Sequence, residues 1–192
     1  MRFEAAVKDI LDQLARQLPA QLTYHSIHHI KDVYCTAEAI ARKEGLTDNE
    51  IQLLLTAASY HDAGFLKAAQ GHEGESCRMA KAALPEYGYN NDDIEQICGI
   101  IMATRIPQTP HNLLQEILAD ADLDYLGRDD FFSIGNQLYN ELKIAGTIST
   151  EQEWNQMQVK FMEAHRYFTA TSKRQRNAKK EANLALVKAK IN

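Results

Sequence analysis

His61 and Asp62 stand side by side, and an imidazole nitrogen and a carboxylate oxygen can both ligate one divalent metal. Further histidines lie upstream in Tyr24-His25-Ser26-Ile27-His28-His29, and aspartates lie downstream in Asp120-Ala121-Asp122-Leu123-Asp124. Two imidazoles and two carboxylates drawn from these three segments make a mixed nitrogen–oxygen shell. Such a shell suits Mn2+, Fe2+, Co2+, Ni2+ or Zn2+, and affinity alone does not choose among them. Its characteristic chemistry is hydrolysis by metal-activated water. Each piece alone has a plainer reading: a single histidine on an amphipathic helix is usually structural or at the surface, and single aspartates are usually solvated. The arrangement shifts that balance. Leu118, Leu123 and Leu126 surround the aspartates, and burying carboxylates without partners is costly.

Positioning these groups falls to helices. Prolines and glycines are few, at 4 and 9, and apolar residues recur at three-to-four-residue spacing. Phe3, Val7, Ile10, Leu11 and Leu14 predict a helix over 3–18, broken at Pro19. A second is expected over 24–44, ending at Gly45, and Thr47-Asp48-Asn49-Glu50 opens a third that delivers His61-Asp62 at its end. On the second, His25 and His29 would share a face, with His28 about 100° away. Neighbours such as His61 and Asp62 reach one metal only if the helix ends or distorts there, and Ala63-Gly64 allows that. The stretch 63–74 reads as a loop. Helices are expected over 75–84, from Asp92 or Asp93 to 104, and over 113–126, 131–142, 151–171 and 173–190. The whole reads as one all-α domain, 1–192, with its motif-bearing core at about 24–126 and helices 131–190 packing on or extending it.

The chain has 192 residues, 45% hydrophobic and 24% charged, which is enough apolar material for a sizeable core. A net charge of −5 lacks the basic footprint of a nucleic-acid binder, although a small anion remains compatible with it. Cys35, Cys77 and Cys98 are odd in number and widely spaced, as in reduced cytosolic thiols, and none has a motif that would make it a nucleophile. With no apolar leader at Met1-Arg2-Phe3-Glu4 and no run of 18 apolar residues, a cytoplasmic protein with no membrane partner is expected.

The order His29, His61-Asp62, Asp122 resembles the HD superfamily of metal-dependent phosphohydrolases, over roughly residues 24–126. Tyr24-His25-Ser26-Ile27-His28-His29-Ile30-Lys31-Asp32-Val33 is similar in spacing to the Tyr-His-x-x-x-His-x-x-Asp-Val of cyclic nucleotide phosphodiesterases. The resemblance implies an HD-like helical bundle with the metal near its centre. It implies His29, His61, Asp62 and Asp122 as ligands, and His25 as the general acid that protonates the leaving oxygen. Asp62 would also orient the attacking water. Asp122 is preferred to Asp120 as the last ligand because Leu118, four residues back, packs on its side; Asp120 stays the alternative, and Asp124 reads as a cap or a support. His72 and Glu73, in Gly71-His72-Glu73-Gly74, could complete a second site, touch a phosphate or only shape the loop. No Gly-Tyr-Pro motif follows His61-Asp62, so the chain looks closer to small stand-alone HD hydrolases than to the signalling branches.

Phosphoryl oxygens also need positive donors, and Arg105, Lys67 or the basic tail from Lys173 to Lys180 are the candidates. Trp154, Phe161, Tyr167 and Phe168 read as core packing rather than a base-stacking platform, His165 as a hydrogen-bonded core histidine, and His111 as a surface residue. The expected substrate is a small phosphorylated molecule, such as a nucleotide, with oligomeric state open. Two other classes compete: a di-iron oxygenase, which would need His72 or His111 as added ligands, and a non-catalytic metal- or nucleotide-binding module.

Overall fold

Thr47 illustrates how the chain starts its helices. Its hydroxyl accepts from the Glu50 amide while the Glu50 carboxylate accepts from the Thr47 amide. Asn90 with Asp93 and Thr150 with Glu153 repeat this reciprocal cap, which satisfies amides that a helix start leaves without partners. In the computed structural model, which describes residues 1–191, the helices are α1 (Phe3–Gln17), α2 (Ile27–Lys43), α3 (Asp48–Tyr60), α4 (His72–Ala83), α5 (Asn91–Met102), α6 (Leu113–Asp122), α7 (Phe131–Ile144), α8 (Glu151–Ala164) and α9 (Ala170–Ala189). No strand occurs among the described residues, so the all-α expectation holds. Asn192, counted in the expected 1–192 domain, lies outside the described residues.

α3 is the centre of the bundle. From Leu53 to Tyr60 every residue is buried, as suits a helix that is packed all round. α1, α2, α5 and α6 surround it, and their Leu14, Ile30, Ile97, Ile101, Ile117 and Leu118 join Leu54 in one apolar cluster. A second cluster of Tyr24, Leu123, Tyr125, Leu126, Phe131, Met162 and Val187 lies beneath the C-terminal helices. Its anchor is the 3-10 turn Asp124–Gly127, over which α9 runs so closely that a Cβ on Gly127 would lie 2.6 Å from the Arg176 carbonyl oxygen. Asn183 on α9 donates to the carbonyls of Leu126 and Arg128 and fixes that crossing.

Several boundaries differ from expectation, each for a visible reason. α2 starts at Ile27 rather than 24, because Ser26 is extended and the amides of Tyr24 and His25 donate to the Glu141 carboxylate instead of entering a helix. The expected loop 63–74 contains a 3-10 turn, Ala63–Leu66, and the start of α4. The helix expected over 113–126 ends at Asp122, and the one expected over 151–171 ends at Ala164. After that second break, the Asp120 carboxylate accepts from the amides of Phe168 and Thr169, and Thr169 caps α9.

Candidate metal centre

His29 projects from the first turn of α2, His61 caps the end of α3, Asp62 follows it, and Asp122 is the last residue of α6. Three helix ends thus converge in the core. His29 Nε2 lies 3.1 Å from Asp122 Oδ1 and 3.5 Å from Asp62 Oδ2. His61 Nε2 lies 3.3 Å from Asp62 Oδ2 and 3.6 Å from Asp122 Oδ1. Ligand atoms of His29, His61 and Asp122 all fall within 4.8 Å of one another, which is compatible with one ion. α3 ends at Tyr60 and Asp62 turns to φ −105°, ψ 7°, so the two neighbouring side chains converge where a continuous helix would set them about 100° apart.

The donor set fits a cation. His61 Nδ1 donates to the Ala58 carbonyl at 2.7 Å, which leaves Nε2 to face the cluster. That Nε2 and Asp62 Oδ2 are buried and have no hydrogen-bond partner. Two orphaned polar atoms at one point are costly unless something charged sits between them. The imidazoles and carboxylates interact strongly. Burial opposes charge on His61, yet the Asp62 and Asp122 carboxylates overcome it and hold the imidazole well above its usual range. Burial likewise opposes charge on the two aspartates. The surrounding imidazoles nevertheless hold Asp62 well below the carboxylate range and Asp122 at about 2.

His25 lies beside this cluster, outside α2, so helical spacing is not what sets it there. Its Nδ1 donates to Glu141 Oε1, while Glu141 Oε2 accepts from the amides of Tyr24 at 2.9 Å and His25 at 3.1 Å. Burial opposes the Glu141 charge, but these contacts hold the carboxyl below its ordinary range. Sequence reading missed Glu141. The available signal was its place on the apolar stripe of α7, ten residues after Phe131, seven after Ile134 and three after Leu138. His25 also stacks on Phe65 at 4.1 Å, and His72 stacks on Phe65 at 4.2 Å. His72 Nε2 is 3.4 Å from Asp62 Oδ1 and 3.7 Å from Glu73 Oε1. Gly64 makes this possible: a Cβ there would lie 2.0 Å from the His72 carbonyl oxygen.

Above the cluster opens a chamber of about 210 Å3, lined on the cluster side by His25, Asp62, His72, Glu73 and Asp122. Its other wall comes from α7 and α8: Leu138, Leu142, Trp154, Met157, Phe161 and Met162. Trp154 is therefore both packed, as expected, and a wall of the chamber.

Other candidates are placed elsewhere. The Asp120 carboxylate is wholly engaged by Phe168 and Thr169, which accounts for its burial without a metal. Asp124 accepts from Arg176 at 2.7 Å, so the basic tail does fold back, but onto this aspartate. Arg105 is exposed and does not line the chamber, although its neighbours Thr104 and Ile106 do. Lys67 and His111 are exposed and do not line it either. His165 meets the Lys180 ammonium at 3.3 Å, and burial followed by that charge pushes its pKa down to about 4. Cys77 and Cys98 are buried, and burial pushes the Cys77 thiol up to about 12, as for a packed, unreactive thiol. Among the described residues, no helix is long and apolar enough to cross a membrane.

No family model matches the sequence, and no curated protein matches it. Solved structures do. A protein from Lactobacillus plantarum superposes with a TM-score of 0.68 at 18% identity, covering 99% of this chain and 98% of its own. A protein described as a predicted HD superfamily hydrolase, from an uncultured Thermotogales bacterium, superposes with a TM-score of 0.62 at 18% identity, covering 98% of this chain and 88% of its own. The chain therefore has the helical fold of an HD-superfamily structure, with a His29, His61 and Asp122 cluster in its core.

Proposed function

We propose that this chain is a metal-dependent phosphohydrolase of the HD superfamily, acting on a phosphate ester of a small molecule. The observation that carries the reading is the pair of buried, partnerless atoms, His61 Nε2 and Asp62 Oδ2, facing His29 and Asp122. His29, His61, Asp62 and Asp122 would hold one divalent ion, which when bound polarises a phosphoryl oxygen and acidifies a coordinated water. Asp62 has two tasks: Oδ2 faces the ligand cluster, while Oδ1 meets His72 at 3.4 Å and keeps that imidazole over the chamber. His25 is the general acid. With Nδ1 donating to Glu141, its Nε2 is the nitrogen left to protonate a leaving oxygen. Glu141 is a positioning residue that orients the ring and the backbone carrying it.

A second cation position is favoured by one contact, His72 beside Asp62 and Glu73. Of the two added ligands that the oxygenase reading would call on, His72 stands at this second position and exposed His111 does not. The binding-module reading gives no task to the Glu141–His25 pair. The test is phosphate release from a panel of phosphate esters by protein stripped of metal and reloaded with Mn2+, Fe2+, Co2+, Ni2+ or Zn2+. Activity should return with at least one ion and fall about a thousandfold or more in His61→Ala, as for removal of a group on which the chemistry depends. Unchanged release in a folded His61→Ala protein would sink the proposal.

A further inference from the structure

The chamber has one polar and one apolar wall, and the polar wall holds carboxylates and imidazoles. Asp62, Glu73 and Asp122 contribute carboxylates, while no lysine or arginine lines it among the described residues. Of the basic groups nearby, half-buried Arg128 is engaged with Asp32 and Asp130, half-buried Arg176 with Asp124, and Lys180 with the His165 carbonyl, while Arg166 lies over the Phe168 ring in the adjoining cleft and does not line the chamber. Sites that take nucleoside polyphosphates surround the chain of phosphates with lysine, arginine and backbone amides. Here a single phosphoryl group at the ligand cluster would meet a cation and the imidazoles of His25 and His72. A second or third phosphate would lie against carboxylates or against Leu138, Leu142 and Phe161. Burying such charge without partners is expensive. The volume of about 210 Å3 exceeds the roughly 150 Å3 of a cavity that takes one benzene ring.

Resting on the phosphohydrolase reading above, we infer that the substrate is a phosphate monoester whose alcohol is uncharged and apolar, about one aromatic ring or an equivalent alkyl chain in size, and not a nucleoside polyphosphate. Hydrolysis breaks the P–O bond to the alcohol and forms one to the water oxygen. The leaving oxygen takes its proton from His25, and the proton lost by water replaces it. Ester and water become alcohol and inorganic phosphate, without oxidant or co-reactant. The alcohol moiety occupies the wall formed by Leu138, Leu142, Trp154, Met157, Phe161 and Met162.

Two measurements on the intact protein test this. The first is kcat/KM for n-alkyl phosphates from ethyl to octyl, for phenyl and benzyl phosphate, and for nucleoside triphosphates. The second is titration of the emission of Trp154, the 1 tryptophan of the chain, with the corresponding free alcohols. Both should gain about threefold to fourfold per methylene until the chamber is full, with triphosphates at least tenfold poorer than benzyl phosphate. Met157 is 39% exposed at the chamber, so Met157→Lys should fold normally and flatten the alkyl series. A flat series with triphosphates preferred overturns the inference while leaving the hydrolase standing. Alcohol binding that follows chain length, with no ester turned over by any ion, removes the phosphohydrolase reading but upholds the apolar occupant. Alcohol binding indifferent to chain length overturns the inference whatever the turnover.

Discussion

Replacing Glu141 by glutamine should impair proton donation while leaving the ligand cluster intact. The glutamine oxygen can still accept from the amides of Tyr24 and His25, which now bond Glu141 Oε2. Its NH2 then faces His25 Nδ1 and can only donate, so the ring is held neutral instead of being paired with a carboxylate. Hydrogen bonds to a charged group contribute about 1.5–3 kcal/mol, against about 1 for a neutral one, so the exchange should cost about 1 kcal/mol of stability. For a chain of this size that is roughly 2–4 °C in Tm. Loss of a general acid lowers rates by about 10²–10⁴. The assay compares an alkyl phosphate, whose leaving oxygen must be protonated, with nitrophenyl phosphate, whose leaving group departs as a stable anion. kcat on the alkyl ester should fall about 100-fold or more, while the nitrophenyl ester should lose less than about tenfold. Bound metal should be unchanged. Equal losses on both esters would show a purely structural role, and no loss on either would refute the pairing of Glu141 with an acid at His25.

Asp120→Ala strands the amides of Phe168 and Thr169 and the Thr169 hydroxyl, so urea unfolding should show a loss of about 3 kcal/mol. Metal content should hold in that variant and vanish in Asp122→Asn, and metal loss with Asp120→Ala would mean that the wrong aspartate has been chosen. His165 ionises at about 4 in the fold and about 6.5 when unfolded. Between those values the unfolded chain binds the extra proton, so stability is full above pH 6.5 and falls by about 3 kcal/mol towards pH 4. Unfolding curves of wild type and His165→Gln should converge across that window, and curves that stay parallel would remove the assignment. Gly64→Ala places a Cβ 2.0 Å from the His72 carbonyl oxygen, so the turn after Asp62 must separate from α4. About 3 kcal/mol should be lost, with turnover falling alongside; a variant as stable as wild type would contradict the packing.

The metal-ligand candidates were legible because they cluster along the chain: His25, His28 and His29 in one segment, His61-Asp62 in another, and three aspartates in a third. Helical content was legible too, since three-to-four-residue spacing and capping pairs such as Thr47–Glu50 are local properties. Interruptions were not. The chain enters helix late, after Tyr24–His25, and stays out of it at His165–Phe168 because Glu141 and Asp120, distant in sequence, accept the amides there. Propensity in those windows favours continuation, and only a partner more than forty residues away decides otherwise.

The same limit separated the three aspartates. Asp120, Asp122 and Asp124 are alike in type and spacing, yet one holds the Phe168–Thr169 strap, one faces His29 and His61, and one meets Arg176. The sequence alone determined an all-helical chain with His61-Asp62 at the end of its third helix and metal-binding residue types on either side of it. Tertiary structure alone decided which carboxylate turns inward, that Glu141 reaches His25, and that the chamber wall is apolar and free of cations among the described residues. Each of these depends on contacts between helices, which spacing within a helix does not encode.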